Sequence, residues 1–173
     1  MAGETILVLV GTTKGRAATV AEALRAALVE RGLRAETCGL DRVEAGAIAA
    51  ADALIVCTST FGSGGVPANA VGFLDRLESG DVPCAGKPVG FVGLGDRSFR
   101  HTYNGGWQTL ARAFAGRGAV AVGEPLLFDA AEALPPDAVA RRLTERVTAW
   151  AGAFQVALDG WAARRRGRAA SLT

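Results

Sequence analysis

No run of roughly eighteen apolar residues occurs in this chain, which argues against a membrane-spanning helix, although hydrophobic residues make up 50% of it. The opening residues, MAGETILVLV, lack a basic stretch and a small-residue cleavage site, and read as a first strand rather than a signal peptide. Cysteine is scarce: Cys38, Cys57 and Cys84 are widely spaced and form no CxxC pair, so no disulfide framework is expected. A reducing cytoplasm is the expected setting, with Cys38 and Cys57 buried as packing inside apolar runs. His101 is the only histidine. Without a second one a metal site lacks support, and His101 is expected to be a solvated loop residue. Two phosphate-loop patterns are missing as well. The Walker pattern GxxxxGK[ST] is absent, because Lys14 precedes Gly15, and so is the dinucleotide pattern GxGxxG. Nothing here reads a pyrophosphate.

What is present is a chain of 173 residues, enough for one domain with a sizeable core. Its net charge of +2 is unevenly placed, because four arginines and one aspartate follow Phe154. Residues 1–154 are therefore close to neutral, and residues 155–173 form a basic C-terminal tail. Short apolar runs alternate with longer segments of helical period. Strands are expected over Thr5–Val10, Arg34–Cys38, Ala53–Cys57, Val89–Val92 and Ala119–Phe128. Helices are expected over Gly15–Arg31, a short piece of Asp41–Ala50, Ala68–Glu78, Gly105–Arg117 and Pro136–Phe154. In the first helix Val20, Leu24, Leu28 and Leu33 lie on roughly one face, and Gly32 fits a C-terminal cap.

Strands alternating with helices imply a parallel sheet covered on both faces. In the doubly wound order 2-1-3-4-5, a ligand binds beyond the carboxyl ends of strands 1 and 3. The loops there read GTTKGRAA, TSTFGSGG and GLGDRSFRHTYNGG, all rich in glycine and hydroxyl residues. The first opens a helix, where unpaired N–H groups and the helix dipole favour an anion. Thr12 and Thr13 offer hydroxyls, Gly15 allows close backbone approach, and Lys14 and Arg16 add positive charge. A single phosphate suits this loop. Phe61 and Phe99 stand in the other two loops, and aromatics from two loops can clasp a flat ring. No nucleophile–base pair is evident in the three loops, so no catalytic residue is assigned.

The three loops in this order resemble the flavodoxin family, in its short-chain, MioC-like branch, and the FMN domains of diflavin reductases. GTTKGRAATVAEAL resembles the phosphate loop and first helix of that family. TSTFGSGGVPANAVGFLDRL resembles its ST-aromatic-G-x-G segment, with the following proline and asparagine. GLGDRSF with Tyr103-Asn104 resembles its GLG[ND]-x-x-[YF] segment, and GAVAVGEPLLFDA its last strand. The resemblance implies a flavodoxin-like, doubly wound, five-stranded parallel α/β fold that binds FMN. Thr12, Thr13, Lys14, Gly15 and Arg16 would surround the phosphate. Ser59, Thr60, Phe61, Gly62 and Gly64 would line one side of the ring. Gly93, Leu94, Gly95, Asp96, Phe99, Tyr103 and Asn104 would line the other. Gly62 is expected to let its carbonyl turn toward a ring nitrogen that gains a proton on reduction. Ser63 and Gly65 stand where relatives often carry acids, so the flavin is expected to be easier to reduce fully.

The implied role is single-electron transfer between a reductase and an acceptor protein, by a monomer with no nucleic-acid partner. An FMN-dependent NAD(P)H:quinone or flavin reductase on the same fold is the alternative, and a flavin-free interaction module a third reading. The tail is expected to dock or tether a protein partner and to contribute little to the fold, with Phe154, Val156, Leu158 and Trp161 along one side of any continued helix.

Overall fold

The computed structural model describes residues 4–129 and 136–171. The last residue of the expected Asp129-bearing strand segment, Ala130, lies outside the described residues, as do the first three residues and the last two of the tail. Strand β1 (Thr5–Gly11) leads through helix α1 (Arg16–Glu30) to β2 (Arg34–Gly39). Helix α2 (Ala45–Ala50), β3 (Ala53–Ser59), α3 (Ala68–Ser79) and β4 (Pro88–Gly95) follow. Then come α4 (Gly105–Gly116), the short β5 (Val120–Ala121) and β6 (Leu126–Asp129), and α5 (Pro136–Ala170). The strands pair in parallel in the order β2-β1-β3-β4-β5, and β6 also pairs with β4. The expected doubly wound sheet is thus present.

The near-continuous apolar strands follow from burial on both faces. Along β1, Ile6, Val8 and Val10 pack with Val20, Leu24 and Leu28 of α1 and with Val147 and Phe154 of α5. The alternate residues Leu7 and Leu9 pack with Phe73 and Leu77 of α3 and with Leu110 and Phe114 of α4. Successive strand side chains point to opposite faces, so one apolar run serves two cores. The turn after α1 closes as expected: Gly32 has φ of 84°. Its neighbour's N–H, Leu33 N, donates to Leu28 O at 3.1 Å. Cys57 is fully buried, and that burial pushes its thiol up to about 12. Cys38 is only half-buried, packed against the edge of the second core.

The expected fifth strand, Ala119–Phe128, is divided. Pro88 of β4 faces Val120, but Val92 faces Leu126, so the register slips by two residues between the pieces. Gly123 with φ of 72° and Pro125, which has no N–H to give, break the ladder between them. Helix α5 supplies the missing partner: Trp150 Nε1 donates to Glu124 O at 2.7 Å.

Helix α5 does not end at Phe154 but runs on to Ala170. Val147, Trp150, Ala151, Phe154 and Leu158 are buried at helical spacing, and Trp161 packs against the same core. Val156, expected on that side, is 70% exposed, because two residues along a helix is more than half a turn. The first turns of the tail therefore belong to the core. Farther along the helix, Arg165 reaches the opposite edge of the sheet, where it donates to Gly86 O, just ahead of β4, at 3.3 Å.

Candidate functional site

Three loops meet at the carboxyl edge of the sheet, around a cleft of about 1130 Å³. The first loop is pinned from below by Asn69 of α3. Thr12 N–H donates to Asn69 Oδ1 at 2.8 Å, and Asn69 Nδ2 donates to Val10 O at 3.1 Å. Gly15 N–H donates to Thr12 Oγ1 at 2.9 Å and takes φ of 83°, a left-handed turn that a side chain would strain. Helix α1 begins directly after it. No side chain caps that helix, and its first turn holds no acidic residue. Its first N–H groups lack intrahelical acceptors and form the positive end of the helix dipole. Thr12, Thr13, Lys14 and Arg16 line the cleft there.

In the second loop, Phe61 and Gly65 exchange both backbone hydrogen bonds at 2.9 Å, closing a tight turn over Gly62 and Gly64. Phe61 is thereby held out at 55% exposure. The loop base is tied across the sheet edge: Thr60 N–H donates to Leu94 O at 2.9 Å, and Gly106 N–H donates to Thr60 Oγ1 at 3.2 Å.

In the third loop, Asp96 Oδ1 accepts from Ser98 N–H at 2.9 Å and also from the Ser98 hydroxyl, so this carboxylate shapes its own turn. Asp129, at the end of β6, accepts from Arg97 N–H at 3.0 Å and pairs with the Arg97 guanidinium at 3.6 Å. Phe99 is 63% exposed. Phe61 and Phe99 both line the cleft instead of turning into the core.

Of the residues singled out from sequence, Thr12, Thr13, Lys14, Arg16, Ser59, Thr60, Phe61, Gly62, Leu94, Gly95, Asp96 and Phe99 all line this cleft. Gly15 shapes the first turn without lining the cleft. Gly64, Gly93, Tyr103 and Asn104 do not line it, and their surroundings give them other work. Asn104 is buried with φ of 57°, starting α4. A Cβ on Gly93 would lie 2.3 Å from the Trp107 ring, and one on Gly95 only 2.6 Å from Asn104 N. These two glycines let the start of α4 close onto β4. Gly105 makes the same kind of room, since a Cβ there would lie 2.5 Å from Gly64 O, and Gly64 itself takes φ of 90°. Tyr103 lies under the Arg97 guanidinium, 5.5 Å from its ring centre.

Sequence reasoning missed the wall that α5 contributes: Val139, Arg142, Leu143 and Arg146 also line the cleft. Arg146 donates to Leu127 O at 2.7 Å and lies over the Phe128 ring at 4.6 Å. Their spacing along one helix face was readable, but no local signal says which edge of the sheet that face reaches. His101, expected as a solvated loop residue, is exposed and lies at the cleft.

An acid-free, basic helix start with two exposed aromatics across one cleft suits a phosphate ester that bears a flat ring. Fold and site together define a mononucleotide-binding, doubly wound α/β protein. The flavodoxin family model matches residues 8–141. An uncharacterized protein of Pseudomonas aeruginosa is 30% identical over 158 residues, covering 90% of this chain and 99% of its own length. Among solved structures, a cysteine-to-alanine mutant of flavodoxin from Pseudomonas aeruginosa superposes with a TM-score of 0.70 at 30% identity, over 87% of this chain and 99% of that one. Flavodoxin from Fusobacterium nucleatum bound to flavin mononucleotide has the same fold, with a TM-score of 0.68 at 21% identity over 86% and 95% of the two chains. The chain belongs to the flavodoxin family, the FMN-binding electron-transfer proteins. Among the described residues, no helix is long and apolar enough to cross a membrane.

Proposed function

We propose that this chain holds one FMN in the cleft and passes single electrons between a reductase and an acceptor protein. The observation that carries the reading is the juxtaposition just described: an uncapped, basic start of α1 on one side, and two exposed phenylalanines from separate loops on the other. Bound FMN supplies the redox chemistry, and the protein binds, orients and shields it. The Thr12–Arg16 loop would hold the phosphate with backbone N–H groups, two hydroxyls and two cations. Thr60, Phe61 and Gly62 would bound one side of the ring, and Gly95, Asp96 and Phe99 the other.

No atom lies within 4 Å of where a Cβ on Gly62 would stand, so its peptide has room to turn and present a carbonyl to a ring N–H. Asp96 is occupied with Ser98, so its part is to fix the third loop and the direction of Phe99. We place the protein in a reducing cytoplasm as a monomer, a setting that suits three free cysteines.

The phosphate decides the test. FMN should bind far more tightly than riboflavin, which lacks it. Lys14→Glu combined with Arg16→Glu should weaken FMN more than riboflavin. Both are measured by quenching of flavin fluorescence on titration. Equal affinities of the unaltered protein for the two flavins would reject the reading.

A further inference from the structure

We propose that the mouth of the cleft docks a protein whose electron-transfer face is acidic. This rests on the reading that FMN occupies the cleft, and it concerns what covers the mouth afterwards. Lys14, Arg16, Arg100 and Arg146 line the cleft, against the carboxylates of Asp96 and Asp129. Arg97, beside the lining, already neutralises Asp129. A phosphate monoester brings only about −1.5 to −2 charges at pH 7. Among the described residues the mouth therefore stays positive with the cofactor bound.

The placement of that charge matters as much as its sign. Arg100 follows Phe99 on the exposed third loop, across the cleft from the phosphate loop, so its charge is left for a partner. The tail arginines cannot be the source of the field at the mouth. Arg165 lies at the far edge of the sheet, and 23 helical residues from Arg142 to Arg165 span about 35 Å. That is several times the Debye length of about 10 Å at 0.1 M salt. Phe61 and Phe99 line the same cleft as these charges, and both are more than half exposed. An apolar centre inside a charged rim is the anatomy of a transient interface, where charge sets partner choice and encounter rate.

The experiment uses the FMN-loaded protein, with loading verified by flavin absorbance, and its backbone amide NMR signals. Hexacyanochromate(III), a trivalent paramagnetic anion, should broaden the signals around Phe61, Phe99 and Arg100. The effect should be roughly fivefold larger than that of the trivalent cation tris(ethylenediamine)chromium(III) at about 0.1 M ionic strength. Arg100→Glu should cut this preference by about half or more, whereas Arg166→Glu at the far end of α5 should leave it unchanged. Cytochrome b5, an acidic carrier, should shift the same signals, and the basic cytochrome c should not. A mouth that collects the cation or cytochrome c, or that favours neither probe, overturns the proposal. A protein that takes up no FMN overturns the functional reading itself.

Discussion

Leu158→Ala tests where the folded unit ends. Leu158 lies four residues past Phe154, in a stretch whose composition reads as tail, yet only 2% of it is exposed and it packs in the same core as Phe154 and Trp161. Truncating a buried leucine removes its transfer free energy and leaves a cavity, together about 2–5 kcal/mol. With a urea m-value of about 2 kcal/mol/M, a loss of 3 kcal/mol lowers the unfolding midpoint by about 1.5 M. Val156, two residues earlier on the same helix, is 70% exposed, so Val156→Ala should stay within about 0.5 kcal/mol of the parent. Both variants are compared by urea unfolding without FMN, because a ligand that binds only the folded state adds its own stability. Similar midpoints for the two variants would refute the packing of α5 described above. Residues 163–171 are exposed, so deleting residues 163–173 should leave FMN affinity and the midpoint nearly unchanged.

Phe61→Ala and Phe99→Ala should each loosen FMN by about 0.5–1.5 kcal/mol beyond lost contact area, roughly twofold to tenfold in Kd, and restore part of its quenched fluorescence. Unchanged affinity in both, with circular dichroism intact, removes them from the site. Gly95→Ala places a Cβ 2.6 Å from the backbone N of Asn104. It should cost about 1–3 kcal/mol in unfolding experiments and weaken FMN as the third loop shifts, and a neutral result would contradict the close approach of α4. Ser63 lines the cleft, so Ser63→Asp should lower the potential for the second electron by like-charge repulsion. Potentiometry at low salt that shows a rise or no change goes against that argument.

Much of this protein is legible along the chain. Apolar runs of strand length alternating with helical periods determine the parallel sheet, because only a sheet buried on both faces needs both parities apolar, as β1 shows with Ile6 and Val8 against Leu7 and Leu9. The glycine, hydroxyl and aromatic residues of the three loops are local signals too, since turns and helix starts depend on neighbours in sequence. What the chain alone could not decide depends on which elements touch. The slip between β5 and β6 is stabilised by Trp150 of α5, and nothing near Glu124 in sequence announces that partner. Asn104 and Gly93 belong to a sequence stretch that reads as a ligand loop, but Gly93 lies in β4 and the close packing of α4 on that strand takes both up. The α5 wall of the cleft and the true extent of α5 have the same origin: a helix face is marked by its spacing, whereas the surface it covers is set by the fold. Arg142 reaches the cleft and Arg165 the far edge of the sheet because one continuous helix crosses the whole domain, and only the tertiary structure shows that it does.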